Sequence, residues 1–559
     1  ERSRGLGDVY KRQQEQPEHT FASPEAAYAF YAAASGTRLR LLVSTLLCLG
    51  SVLLLVLSTP LITGAFSDHA AVFSAAMLGL LLLQAVCSYD VCLSGVIALL
   101  RFRFDQYSML FLALCAVVTD AFFAVAEGRT PFCTVASILL LLALWGRDLL
   151  YDARRRSLRA ISNMDEPVAA IREEKAWHGY DCIFRAPGDA EQFAVQLEMP
   201  DAGSRIMRVW APVMTAVTLA LSVLTALRTG EHFLWAWSAM LLASFPAGIL
   251  IAYAKPFSAL ARRLYRAGAA IAGWQGARIL SGEAGLIVED ADLFPPQNVT
   301  QGGMKLYGSR PAPMVIGYAN AVVQTAGSGL VPLFEQMMHD QNGRRYTVDT
   351  FRRYEGGGLG ATIRGDVVLM GSIAFMKLMR VRVPEGTRLK QAVYLSVNGE
   401  LTAVFALNYA PAESVRAGLS AVLRAGSLVP VLATRDFMIT PQFLKLRYKI
   451  PPEHIEFPIV EERARLSSQE IPRTGPQGAL MARSSFASFA GSVVSARTLR
   501  GAAIIAMIVA LAGSMLGTAL MFFLTFLGSS FSASCWNLFL YTVLWLIPGL
   551  LTALLAGRA

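Results

Sequence analysis

The chain has 559 residues, 54% of them hydrophobic and only 16% charged, with a mean hydropathy of +0.45. Soluble domains are about a quarter charged, so an ordinary soluble enzyme, a disordered chain and a disulfide-stapled secreted scaffold are all excluded. The formal net charge of +10 comes from Lys and Arg clustered beside apolar runs, as in the cytoplasmic loops of membrane proteins, and gives no reason to expect a nucleic-acid partner.

Residues 1–13 (ERSRGLGDVYKRQ) have no apolar stretch and read as an artefactual tail, not a signal peptide. Residues 14–40 read as an N-terminal cytoplasmic or interfacial segment, with a helix starting at Ser23-Pro24-Glu25 and carrying Tyr28, Phe30 and Tyr31. Uncharged or nearly uncharged runs then cover 41–67, 70–100 (broken by Asp90), 106–126 (containing Asp120) and 130–146. A bilayer needs about 20 apolar helical residues, so 41–146 predicts transmembrane helices one to four. Residues 207–255 hold helices five and six, with Pro246 inside the sixth. Residues 501–559 hold the last two, divided at Gly528-Ser529-Ser530, which makes eight. Arg38, Arg40, Arg101, Arg103, Arg154, Arg155, Arg156, Lys255, Arg262, Arg263, Arg497 and Arg500 all lie at one set of span ends. Both termini and both polar inserts are therefore expected in the cytoplasm.

The first insert, 147–206, is short, and the second, 256–500, is large enough for two α/β domains. Ala284–Glu289, Val367–Leu369, Val393–Val397, Leu401–Leu407 and Leu428–Ala433 read as strands, with a hairpin turn at Asn398-Gly399. Pro411–Ala425 reads as a helix ending at Gly426. Strand, hairpin, helix and strand in this order predict a βαβ core.

This arrangement resembles the heavy-metal-transporting (type IB) P-type ATPases across residues 40–557, and specific motifs carry the resemblance. Ser244-Phe245-Pro246-Ala247-Gly248 is similar to that family's ion-site proline motif. Val288-Glu289-Asp290-Ala291-Asp292 stands where the family has its phosphorylated Asp-Lys-Thr-Gly-Thr. Gly356-Gly357-Gly358-Leu359-Gly360 and Leu369-Met370-Gly371-Ser372 resemble the glycine turn and strand of the nucleotide domain, and Thr434-Arg435-Asp436 resembles the family's Thr-Gly-Asp. The resemblance implies a polytopic α-helical membrane protein with cytoplasmic α/β domains, namely a haloacid-dehalogenase-like phosphorylation domain (256–310 and 393–500), a nucleotide-binding domain (311–392) and a reduced actuator insert (147–206). It implies ATP and Mg²⁺ as cofactors. Asp290 becomes the phosphoryl acceptor, with Asp292, Thr434 and Asp436 in the catalytic set and Gly358, Gly360 and Gly371 against the nucleotide.

The departures point away from turnover. Ala291 replaces the lysine, and Asp292 puts a second negative charge where the transferring phosphoryl group needs a cation. Residues 470–490 contain no Asp for Mg²⁺, Thr-Gly-Glu is missing between 147 and 206, and Val331-Pro332 replaces His-Pro. The expected function is that of a catalytically degenerate relative with a sensing or regulatory role in the plasma membrane, linked to cation transport and acting on a cation or another membrane protein. An active ATP-driven cation pump and a passive cation pathway are the alternatives.

Three further readings stay open. Asp290 and Asp292 open a loop, hold a hard cation, or carry a phosphoryl group. Pro246 is either an inherited kink or an unwound stretch presenting carbonyls to an ion. Asp90 and Asp120, with Cys87 and Cys92 nearby, either line one polar intramembrane site or pair locally.

Overall fold

The computed structural model describes residues 17–34, 38–58, 66–162, 164–230, 232–384, 391–529 and 532–558; the tail 1–13 lies outside them. Among the described residues, seven helices are long and apolar enough to cross a membrane, the first being Arg38–Leu57 and the last two lying in Phe486–Phe526 and Cys535–Arg558. An eighth apolar segment is broken. Helix Phe233–Ala243 stops at Ser244, and a short turn of helix resumes at Ile249–Ala252. Pro246 has no N–H for a helical bond, which accounts for the break. The run 70–100 is likewise two helices, Phe66–Cys87 and Tyr89–Leu100, that part at Ser88.

The polar inserts build two six-stranded sheets. The strands are β1 (Val168–Trp177), β2 (Tyr180–Pro187), β3 (Ala269–Ile271), β4 (Ala284–Val288), β5 (Val299–Leu306), β6 (Thr350–Tyr354), β7 (Gly358–Ile363), β8 (Asp366–Gly371), β9 (Ala392–Val397), β10 (Glu400–Tyr409), β11 (Leu428–Leu432) and β12 (Gln477–Met481). The second sheet, ordered β5-β10-β9-β8-β7-β6, is antiparallel throughout. Its Asn398-Gly399 turn has positive φ at both residues (53° and 82°), the geometry that a two-residue hairpin requires.

The first sheet is ordered β11-β4-β2-β1-β12-β3. Strands β4 and β11 run parallel, Val288 opposite Leu432, and every residue of β4 is buried. This is how a strand covered on both faces reads, as an unbroken apolar run. The hairpin β1–β2 belongs to the first insert but forms no sheet of its own. β2 pairs parallel with β4 through Cys182 and Ile183, and β1 pairs antiparallel with β12, Ala170 opposite Ala479. The two inserts therefore share one sheet. The turn between β1 and β2 is His178-Gly179, again with positive φ at both residues (47° and 82°).

From β12 the chain enters the helix Phe486–Phe526, whose 41 residues run from the sheet into the apolar bundle without interruption. Its first turns carry the helix Glu413–Arg424: a Cβ on Gly418 would lie 3.1 Å from the Phe486 ring, so the two helices approach at a residue without a side chain.

Candidate functional site

Parallel pairing of β4 with β11 brings the two segments that follow these strands to the same edge of the sheet, the edge at which open α/β sheets hold ligands. Glu289 opens the short helix Asp290–Leu293, and Thr434-Arg435-Asp436 follows β11. The Asp290 carboxylate is largely buried, and both its oxygens accept hydrogen bonds. One oxygen accepts from the backbone N–H of Arg435 at 3.0 Å and of Asp436 at 3.3 Å, and the other from Gly329 N–H at 2.8 Å. Asp436 accepts from the Tyr409 hydroxyl at 2.6 Å and from Met438 N–H at 2.9 Å. Burial, and then the charge of Asp436, push the Asp290 pKa well above the carboxylate range; burial also raises Asp436. Two buried carboxyls this close favour sharing a proton over ionising together.

Asp292 points elsewhere, and it is not the unneutralised charge that the sequence implies. Arg185, on β2 of the first insert, reaches it at 2.5 and 2.8 Å, and Glu289 N–H donates to it at 2.7 Å. Burial still raises its pKa to about 6, against the pull of Arg185. The Arg185 guanidinium also donates to Ser484 O at 2.8 Å and sits 5.5 Å from the centre of the Phe489 ring.

Two adjoining clefts open here, sharing Arg353, Arg435 and Ala464 as walls. One, of about 660 Å³, exposes Asp290, Gly329, Gln469 and Glu470. The other, of about 460 Å³, lies between the sheets and is lined by Gly356-Gly357-Gly358, Ser372, Thr434, Phe437, Phe443, Phe457 and Arg463. Arg435 is tied to Ser467 Oγ (2.8 Å) and Ser467 O (3.0 Å). The Nε atoms of Arg353 and Arg463 and the Thr434 hydroxyl are buried without a hydrogen-bond partner in the protein. Burial lowers the pKa of Arg353 and of Arg463. Partnerless buried donors are rare, and three such polar groups around one cleft with three arginines suit an oxyanion. Mg²⁺ does not fit. The oxygens of Asp290 and Asp436 already accept hydrogen bonds, burial raises the pKa of both so that ionising them together is disfavoured, and three guanidiniums would repel a dication.

The glycines have a packing role. Gly358 and Gly371 are cross-strand partners, and a Cβ on either would fall 2.1 or 2.4 Å from the ring of the fully buried Phe375. A Cβ on Gly360 would meet the Tyr354 ring at 2.9 Å. Of the three, Gly358 alone also lines the inter-sheet cleft.

The intramembrane candidates do not converge. Asp90 pairs with Arg40 at 2.5 Å and Arg147 at 3.7 Å, and Arg40 also donates to the Cys87 carbonyl. Cys92 Sγ contacts Ala85 O instead. Asp120 is buried against Arg129, 3.0 Å away. At Pro246, the Ser244 carbonyl freed by the helix break accepts from the Trp210 indole N–H at 3.2 Å and from the Ser514 hydroxyl, so protein donors occupy the position offered to an ion. Among the described residues, only Glu18, His19 and Glu198 form a group of three potential ligands within reach of one ion. Arg154 already neutralises both carboxylates there, at 2.8 and 3.3 Å.

Arg185, Arg353, Arg463 and Tyr409 were not singled out from the sequence. None belongs to a recognisable motif, and only the pairing of distant segments gives each a role.

No family model and no curated protein matches the chain. Among solved structures, it is similar to a zinc-transporting PIB-type ATPase in its E2.Pi state, at 14% identity and a TM-score of 0.46, covering 93% of this chain and 100% of the other. A second crystal structure of a zinc-transporting PIB-type ATPase, in a different state, gives 14% identity and a TM-score of 0.43 over 92% and 99% of the two chains. The N-domain of a copper-transporting P-type ATPase, HMA6, is 17% identical, with a TM-score of 0.17, over 20% of this chain and 99% of that domain.

Proposed function

We propose that this chain is a P-type ATPase-like integral membrane protein that binds a nucleotide between its two sheets without hydrolysing it, and that it serves as a sensing or regulatory component of cation transport in the plasma membrane, its sheets on the cytoplasmic side. The observation that carries this reading is the state of Asp290. Both its oxygens are capped by backbone N–H groups, and its pKa is raised towards neutrality. A phosphoryl acceptor must present a free, ionised oxygen in line with the leaving group, beside a cation that moves with the charge. Arg435 is anchored to Ser467, and the cation nearest Asp292 is used to neutralise it.

The cleft itself retains what binding needs. Arg353, Arg435 and Arg463 supply positive charge for phosphates, and Phe457, under the Arg463 guanidinium at 4.2 Å, supplies an aromatic face. A route to the membrane also exists. Gly418 seats the helix after β10 on the helix Phe486–Phe526, and Ser514 of that long helix holds the broken span at Ser244.

The test uses purified full-length protein, radiolabelled ATP with Mg²⁺ and a panel of mono- and divalent cations. The expected result is no acid-stable phosphoprotein under any condition, together with saturable binding of a fluorescent ATP analogue that weakens about tenfold or more in Arg463→Gln. Label that appears with one cation and vanishes in Asp290→Asn would overturn the reading and establish a pump. Absence of nucleotide binding would also overturn it.

A further inference from the structure

The helix Tyr89–Leu100 is short, leaves the preceding span at Ser88, and is apolar on two faces for different reasons. Val91, Gly95 and Ala98 are buried against the helix Gln106–Glu127, so closely that a Cβ on Gly95 would fall 2.5 Å from Tyr107 O. Tyr89, Leu93, Ile97 and Leu100 form the other stripe and are exposed. Spacing of four, four and three residues keeps them on one side of a 3.6-residue helix. Phe102 follows with φ of 52° and 86% exposure. A helix with one apolar face open, at the end of a membrane bundle, lies along the lipid interface.

Beside this helix lies a pocket of about 350 Å³ whose charges do not balance. Its carboxylates are all satisfied. Glu18 pairs with Arg154 at 2.8 Å, Asp105 accepts from Ser108 N–H at 2.7 Å, and Asp201 from Ser204 N–H at 2.7 Å. Arg147 is engaged with Tyr151 at 3.1 Å and Ser94 at 3.2 Å. Arg101, Arg103 and Arg208 also line the pocket, are exposed, and make no side-chain hydrogen bond or ion pair among the described residues. Three guanidiniums without a hydrogen-bond partner among the described residues thus stand where the exposed apolar stripe ends.

We infer that this pocket binds the headgroup phosphate of an anionic phospholipid, whose acyl chains run down the Tyr89–Leu93–Ile97 stripe. A phosphate between guanidiniums makes charge-assisted hydrogen bonds, and the apolar stripe gives the chains a surface that a free phosphate could not use. The site is separate from the inter-sheet cleft and does not depend on nucleotide binding there.

The test reconstitutes the full chain in nanodiscs of phosphatidylcholine with a quarter phosphatidylglycerol, then counts lipids retained on the released protein by native mass spectrometry. The wild type should retain phosphatidylglycerol over phosphatidylcholine. That preference should fall about fivefold for each arginine neutralised and on the order of 100-fold in the triple Arg101→Gln, Arg103→Gln, Arg208→Gln. The side chains are exposed and unpartnered, so the fold does not depend on them. Arg208→Lys, which keeps the charge, should retain most of the preference. Arg228→Gln, at the far end of its helix, should retain all of it. Equal retention of both lipids by the wild type, or a triple variant that behaves like the wild type, would overturn the site. An effect of Arg228→Gln equal to that of the pocket arginines would overturn it as well. Complete displacement of the lipid by millimolar inorganic phosphate would show a phosphate site instead and overturn the assignment to lipid.

Discussion

Arg185→Gln tests whether the two inserts are one unit. Arg185 is 12% exposed and Asp292 is 0% exposed, and they meet at 2.5 and 2.8 Å across the boundary between the inserts. Removing one partner of a buried pair costs about 3–5 kcal/mol, because the other charge is left buried. The lower end applies here, since Asp292 already titrates at about 6 and can escape by protonation. The local probe is Cys182, fully buried on β2 and paired with Gly285; burial pushes its thiol up to about 11. A membrane-impermeant maleimide can reach it only when the hairpin opens, with Cys182→Ser giving the background. At about pH 8 Asp292 is ionised, and a loss of about 3 kcal/mol speeds labelling roughly 150-fold. The folded pKa of Asp292 is raised, so the ionic share of Arg185's contribution exists only above about pH 6 and is lost below it. Near pH 5 the remaining loss, the hydrogen bond to Ser484 O and the partly exposed ion pair with Glu289 at 3.5 Å, is about 1 kcal/mol, or roughly fivefold. A change under about threefold near pH 8, or the same change at both pH values, would refute the reasoning.

Two further outcomes follow from the same geometry. Gly358→Ala places a Cβ 2.1 Å from the Phe375 ring and should destabilise the antiparallel sheet by about 1–3 kcal/mol, whereas Gly491→Ala, with nothing within 4 Å, should stabilise the long helix by about 1 kcal/mol; thermal unfolding in micelles distinguishes the two signs. Ala170→Cys with Ala479→Cys, direct partners across β1 and β12, should crosslink on oxidation without loss of nucleotide-analogue binding, and a crosslinked chain that no longer binds would show that the sheet must open for binding.

What was legible in the sequence was local. Ala284–Val288 and Leu428–Leu432 read as buried strands because a sheet covered on both faces needs uninterrupted apolar residues, and they pair in parallel. Asn398-Gly399 announced its hairpin because few other pairs tolerate two positive φ values. The hairpin β1–β2 carried a similar signal at His178-Gly179, but charged residues along β1 masked its strand. Nothing local could say that β2 docks on β4, because that contact joins residues about a hundred positions apart. The same limit explains the acids. Asp292 read as an unneutralised charge because Arg185 lies about a hundred positions away, and the arginine partners of Asp90 lie on other helices. The packing of Gly358 and Gly371 on Phe375 was not legible either, because no motif points to that residue.

The shared sheet restricts what the protein can do with a bound ligand. Moving the first insert away from the second would break the β1–β12 and β2–β4 ladders and leave Asp292 buried without its cation, so such a motion amounts to local unfolding rather than a hinge. The two sheets meet differently. Between them lie a cleft, partnerless guanidinium nitrogens and a few polar contacts, Tyr409 with Asp436 and Glu355 with Val460 N–H and Arg463. A ligand that pairs Arg353 and Arg463 binds the closed arrangement of that cleft better than an open one, and differential affinity is all that is needed to shift a conformational equilibrium. Displacement of the antiparallel sheet would act on the segment that follows β11, hence on the helix Glu413–Arg424 before that strand and on the long helix on which it rests. The broken span is held to that long helix by Ser514. On the function proposed above, a chain built this way would report cleft occupancy to the membrane without a phosphorylated intermediate.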